Sequence, residues 1–274
     1  MTSKGYTVRA DATTDEIVDG YLNLVNRQIQ KGPRVFLQSA ELVVPVDRSQ
    51  GYQELKRKVE AGELLKPHQS TSIEKPDYYD SLFLDWGIQH FHLSVSPHPR
   101  AAGFVARSGP LLFARVTPTR FYAIQVYEHG AWNKNEIVEI LERNWPSEIE
   151  RFKLKGLHPI TPPHSEQDIK AFRTAGITVL AQAGGRFIAP MGGGFRSNGQ
   201  SSLILDSRAN LRANCRELEE ASLPILREFA NHGGPPLHKQ VVRLEHRADK
   251  LFVVEKSTNT DIAFADWLIY KDLE

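Results

Sequence analysis

The sequence predicts an α+β protein. N-terminal helices pack on a central antiparallel sheet, and a second α+β domain with a long helix and β-hairpins follows. Three observations predict this. Apolar and polar residues alternate with period two in His90–Val95 and Phe121–His129, the pattern of half-buried strands. Apolar residues recur at helical spacing after N-cap candidates at Thr13 and Asn133. The Pro-rich stretch Leu157–His164 breaks the chain, giving domains over 1–156 and 165–274.

Thr13-Thr14-Asp15-Glu16 is a capping-box start, with Ile17, Tyr21, Leu24, Val25 and Gln28 at helical spacing. Gly32-Pro33 ends that helix, and Arg27 and Lys31 lie on its polar face as solvated groups. Val35–Val46 is a strand region, and Pro45 places it at an edge. Tyr52–Leu65 is a second helix, whose Lys56-Arg57-Lys58 run reads as a solvated face. Asp77-Tyr78-Tyr79-Asp80 could flank a cleft, with a surface loop as the simpler reading, while Trp86 reads as core and Gly87 as a bulge or close approach.

Side chains alternate across a strand. Phe91, Leu93 and Val95 therefore share one face, with His90, His92 and Ser94 on the other. In Pro110–Val116 the faces are Leu112, Ala114, Val116 and Leu111, Phe113, Arg115. In Phe121–His129 they are Tyr122, Ile124, Val126 and Gln125, Tyr127, His129. A meander is the shortest connection of these strands. It gathers His90, His92, Ser94, Arg115, Gln125, Tyr127 and His129 over one sheet face. Asn133 and Glu136 then cap a helix carrying Ile137, Ile140, Leu141 and Asn144, which Pro146 stops.

In the second half Ser165 caps a short helix with Ile169 and Phe172, and Gly176 ends it. Ile177–Ala181 and Ser201–Ser207 read as strands. The Gly-rich loop Met191–Ser202 lies between them. Its glycines would let backbone N–H groups approach an anion, with Arg196 and Ser197 as added donors. It matches neither the P-loop nor the dinucleotide fingerprint. Ala209–Asn231 is the longest helix, kinked or divided at Pro224. Gln240–His246 and Lys250–Lys256 form a hairpin, and Trp267, Leu268 and Tyr270 make an apolar tail suited to docking.

The chain has 274 residues, 41% hydrophobic and 24% charged, with a net charge of +1. That is a soluble globular composition without a global basic signature, so a nucleic-acid site must be a local patch. Cys215 is the only cysteine, so no internal disulfide is available, and its helical surroundings read as those of a buried small hydrophobe. The N-terminus has no apolar signal region and no run is long enough for a membrane span, which leaves the cytoplasm as the expected compartment.

A face bearing imidazoles, a guanidinium, a phenol and a hydroxyl suits phosphodiester chemistry. Imidazole moves protons near neutral pH, and Arg holds phosphate with forked donors. With a ribose 2′-hydroxyl as nucleophile, no metal or other cofactor is required. The order helix, alternating strand, Arg-x-Gly-Pro-Leu-Leu-Phe-Ala-Arg-Val, then Phe-Tyr-Ala-Ile-Gln-Val-Tyr-Glu-His-Gly resembles the RelE/ParE-like ribonuclease toxins of the barnase–EndoU–colicin–RelE grouping. The resemblance covers roughly residues 35–145. Arg107, Arg115 and His129 fall on its pattern of an Arg-bearing strand, a hairpin and a strand ending in His. The chain departs from it in its length, its HFHLS strand and its C-terminal half.

The resemblance implies a metal-independent endoribonuclease of toxin or phage-defence type. His92 or His129 would be the general acid or base, with His90 beside them. Arg107 or Arg115 would clamp phosphate, and Tyr127 would contact a base or phosphate. Ser94, Gln125, Arg196 and Ser197 complete the candidate substrate contacts. RNA or a ribosome, and an antitoxin or complex subunit, are the expected partners. Two alternatives stay open. One is a metal-dependent hydrolase built on His90-x-His92 with His129 or Glu128. The other is a non-enzymatic binding or regulatory subunit using the Gly-rich loop and the apolar tail.

Overall fold

A computed structural model of the chain describes residues 9–265 except 158, 160, 197–199 and 248–249. The chain divides into two compact units, Met1–Asp206 and Ser207–Glu274. The Pro-rich stretch at 157–164 thus lies within the first unit. Residues 165–206, placed by the sequence reading in the second domain, also lie there.

The first unit opens with α1 (Thr14–Arg27), started by the expected capping box of Thr13 and Glu16. There follow β1 (Val35–Gln38), α2 (Ser49–Ala61), α3 (Ser81–Trp86), β2 (Ile88–His92), β3 (Leu111–Val116) and β4 (Arg120–Tyr127). These strands form one sheet in the order β1-β4-β3-β2. β2, β3 and β4 are the expected antiparallel meander. The meander leaves the outer edge of β4 unpaired, and β1 fills it in parallel, so the sheet is mixed rather than antiparallel throughout. Phe36 of β1 stacks on Phe121 at 5.1 Å between ring centroids.

Both faces of this sheet are covered. Tyr52, Leu55 and Val59 of α2 pack with Phe91, Leu93, Leu112, Phe121 and Ala123. On the other face α4 (Glu136–Asn144) lays Ile137, Ile140 and Leu141 against Leu111, Phe113, Tyr122 and Ile124, joined by Leu82 and Trp86 of α3. Burial on both sides explains the nearly unbroken apolar run of β3. The helix α4 is preceded by Asn135, not Asn133; the Asn133 side chain is taken by Arg173.

One irregularity changes the expected faces. Phe113 pairs with Gln125 but Ala114 pairs with Ala123, so Ile124 is an extra residue in β4. Tyr127 then stands opposite Leu111, and Val126 stands opposite Leu112. Partners across a pair share a face. Val126 therefore lies on the α2 side, away from Tyr122 and Ile124, with which simple alternation grouped it.

Beyond α4 come α5 (Pro146–Ile149), α6 (Glu166–Thr174) with its Ser165 cap, and the small hairpin β5 (Ala181–Ala183) and β6 (Arg186–Ile188). Of the strand expected at Ile177–Ala181 only Ala181 is in a strand, as the first residue of β5. The strand expected at Ser201–Ser207 is instead the first turn of α7 (Ser202–Asn231), capped where Ile204 N–H donates to Ser201 Oγ at 3.4 Å. A short apolar run such as Leu203-Ile204-Leu205 fits helix and strand equally well. α7 runs across the division between the units and keeps its helix through Pro224.

The second unit adds a three-stranded antiparallel sheet, β7 (Val242–Arg247), β8 (Lys250–Glu255) and β9 (Thr260–Ala265). The first two strands are the expected hairpin. Leu226, Phe229, Val242 and Val253 form its apolar cluster. Cys215 is exposed, contrary to the buried position expected of it. The tail residues Trp267, Leu268 and Tyr270 lie outside the described residues. Among the described residues no helix is long and apolar enough to cross a membrane.

Candidate functional site

A cleft of about 410 Å³ opens at the end of β2, and three histidines line it: His90, His92 and His129. Arg107, Tyr78, Tyr79, Asp80, Ser70, Ser72 and Trp132 complete its polar and aromatic lining. His90 and His92 alternate with buried Phe91 and share the face of their cross-strand partners Phe113 and Leu111. His129 follows the end of β4 and is exposed. The Trp132 ring lies 4.6 Å from the His90 ring and 5.2 Å from the His129 ring, so one indole spaces the two imidazoles.

The tautomer of His92 follows from one hydrogen bond. Ser108 N–H donates to His92 Nδ1 at 3.2 Å, and a backbone N–H can only donate. Neutral His92 therefore carries its proton on Nε2. Burial pushes its pKa down to about 4, and the neighbouring His90, Arg107 and His129 act in the same direction. Burial likewise lowers His90. Asp80 opposes that effect with Oδ2 3.9 Å from His90 Nδ1, and His129 adds to it. At neutral pH the cleft therefore holds two uncharged imidazoles. Arg107 is exposed and makes no hydrogen bond or ion pair among the described residues. Burial pushes the Tyr78 phenol up to about 12, which keeps it protonated.

Buried polar contacts hold the walls. Arg27, expected to be solvated, is 2% exposed. Its Nε donates to Asn23 O, and its Nη1 and Nη2 donate to Ser72 O and Lys75 O. The guanidinium thereby ties the segment bearing Ser72, Tyr78 and Asp80 to α1. Asp80 also caps α3 by accepting from Phe83 N–H at 3.1 Å. On the far wall Arg173 of α6 pairs with Asp85 at 3.1 Å in full burial and donates to the carbonyl of Trp132. Burial raises the Asp85 carboxyl to about 6, and Arg173 works against that shift. On the other side of the strand, the buried His68 Nδ1 donates to His92 O at 2.9 Å.

The other sequence candidates lie elsewhere. Arg115 pairs with Glu148 at 3.3 Å at the opposite end of β3, beside Phe152. Gly87 does mark a close approach, because a Cβ there would lie 2.6 Å from Arg115 Nη1. Tyr127 donates its hydroxyl to Glu136 at 2.8 Å and packs edge-on to Phe113. Gln125 accepts from Val43 N–H and donates to Glu41 O, fastening the chain after β1. Ser94 lines a separate depression with His68 and α2. Arg196 forms an ion pair with Asp206. Ser197 lies outside the described residues. The Gly-rich loop packs on α3: a Cβ on Gly192 would lie 1.8 Å from Phe83 O, and Gly194 N–H donates to Leu84 O.

Trp132 and the two buried arginines were not among the sequence candidates for the site, and Asp80, Tyr78 and Tyr79 entered only as flanks of a cleft, second to a surface loop. The Asp77–Asp80 cluster directly before α3 was the available signal for these last three. No protein family, curated protein or solved structure matches the chain. Among the described residues no group of three or more His, Cys, Asp or Glu side chains is arranged to hold a metal ion. The cleft offers proton transfer through imidazoles, an unpaired guanidinium for an anion, and aromatic surface for a flat ring.

Proposed function

We propose that this protein is a metal-independent endoribonuclease acting through the histidine cleft. The observation that carries the reading is the convergence of His90, His92, His129 and Arg107 on one cleft of about 410 Å³, in the company of Trp132 and Tyr79. Arg107 and the Nε2–H of His92 hold a phosphodiester. One imidazole takes the proton of the ribose 2′-hydroxyl. The 2′-oxygen bonds to phosphorus, and the bond from phosphorus to the 5′-oxygen breaks. A second, protonated imidazole gives its proton to the leaving 5′-oxygen. The products are a 2′,3′-cyclic phosphate and a 5′-hydroxyl. The exposed Tyr79 and the Trp132 ring offer stacking surfaces to an unpaired base, which favours single-stranded RNA. The local resemblance to RelE/ParE-like toxins agrees with this chemistry and points to RNA or ribosome-bound RNA as substrate, with an antitoxin or complex subunit as partner.

The test is cleavage of single-stranded RNA in EDTA with end-group analysis. Cyclic-phosphate ends are expected from the wild type, and about 10²–10⁴-fold fewer from His129→Ala. Intact RNA with a folded wild type at high concentration overturns it.

A further inference from the structure

A second, small cavity of about 10 Å³ adjoins His90 and shares Ser70 and Asp80 with the cleft. Arg27, Gln69 and Gln89 also line it. Its volume is about that of a single water site, roughly 10–15 Å³ on the same measure.

The hydrogen bonds around it fix the orientation of two side-chain amides. The backbone carbonyl of Arg27 accepts from Gln69 Nε2 at 3.3 Å and from Gln89 Nε2 at 3.2 Å. A carbonyl only accepts, so both amides must turn their NH2 groups to it. Both Oε1 atoms are then acceptors, and both are buried without a partner among the described residues. His90 Nδ1 is also buried without a partner, and its charged neighbour is another acceptor, Asp80 Oδ2 at 3.9 Å. Two unmet carbonyl oxygens require two donors, and a nitrogen facing acceptors requires a hydrogen.

We infer that this cavity binds one ordered water, which accepts from His90 Nδ1–H and donates to Gln69 Oε1 and Gln89 Oε1, fixing His90 as the Nδ1–H tautomer. The basic nitrogen of His90 is then Nε2. His92 has the opposite form, with its proton on Nε2. Two imidazoles one strand step apart thus present opposite chemistry, an acceptor from His90 and a donor from His92. On the ribonuclease reading, on which this role assignment rests, His90 Nε2 takes the 2′-hydroxyl proton. Asp80, beside Nδ1, steadies the resulting imidazolium. His92 stays neutral and donates to a phosphate oxygen, and His129 returns a proton to the leaving 5′-oxygen.

The tautomers can be read without any activity. Long-range 1H–15N correlation spectra of the full-length protein at neutral pH should show a protonated-type Nδ1 and an unprotonated-type Nε2 for His90, and the reverse for His92. An unprotonated-type Nδ1 at His90 overturns the inference. A crystal structure should show one water touching His90 Nδ1, Gln69 Oε1 and Gln89 Oε1; a dry cavity refutes the water site. Gln89→Leu removes one acceptor and should blur the single-tautomer signature, while an unchanged signature counts against the water as its cause. The wild-type spectrum decides the matter even if this variant fails to fold. Absent RNA cleavage alongside the expected tautomers overturns the ribonuclease reading alone. Cleavage alongside the wrong His90 tautomer overturns this inference alone.

Discussion

The two ends of the β2–β3 pair carry similar residue types put to different uses. At one end Arg115 is buried, paired with Glu148 and packed beside Phe152, and Tyr122 donates its hydroxyl to the same carboxylate at 2.7 Å. The Arg115 guanidinium and the Glu148 carboxylate there have their partners within the fold. At the other end Arg107 and His129 make no hydrogen bond or ion pair among the described residues. A guanidinium on a strand is therefore no guide to function by itself. What distinguishes the ends is whether the fold has already satisfied the group. Saturated charge holds the structure together, and unsaturated charge beside a cleft is available to a ligand.

Removing groups at each end should separate cleavage from stability. His129→Ala should lower RNA cleavage by about 10²–10⁴-fold, the usual worth of a proton-transferring residue, with an unchanged urea midpoint. Retained cleavage would take His129 out of the chemistry. Arg115→Ala should do the reverse. It leaves a largely buried Glu148 short of a partner, a loss of about 3 kcal/mol by urea denaturation, while the folded fraction cleaves normally.

A pH series sharpens the same contrast. The folded pKa of His92, about 4, lies below the ordinary histidine value of 6.5. The unfolded chain therefore binds more protons between those values. The stability contribution is complete above about 6.5 and is lost as the pH falls through about 4, by up to ~3 kcal/mol. Urea midpoints across that window should show the loss in the wild type and a shallower fall in His92→Gln. Tyr127→Phe removes only the exposed bond to Glu136 and should cost about 1 kcal/mol or less, with cleavage unchanged. The smallest effect belongs to Cys215→Ser, an exposed helical position, within about 0.5 kcal/mol.

Much of the sheet was legible in the sequence because period two survives wherever one face differs from the other. That pattern put His90 and His92 on one face and Arg115 on the matching face of its own strand, as the register shows. It failed in β4, where the extra residue Ile124 broke the alternation; a bulge leaves no mark in hydrophobicity alone. Of the cleft lining, the sequence reading named the histidines and Arg107. The wall was less legible, because Tyr78 and Asp80 are brought to the cleft by Arg27, whose bonds to Ser72 O and Lys75 O span 45 and 48 residues. No local pattern distinguishes a solvated arginine from one buried by such distant carbonyls. The pairing of Arg115 was hidden for the complementary reason: its partner Glu148 lies 33 residues away, so the sequence shows the charge without its saturation.

The most direct test of the account is an NMR titration of the full-length protein with a 2′-deoxy oligonucleotide, which occupies a ribonuclease site but offers no nucleophile. The account predicts that the ring signals of His90, His92 and His129 and the Trp132 indole shift together and saturate, while Tyr122 and the Arg115 side chain stay in place. Shifts at the Arg115 end or the Gly-rich loop with the three histidines unmoved would contradict it.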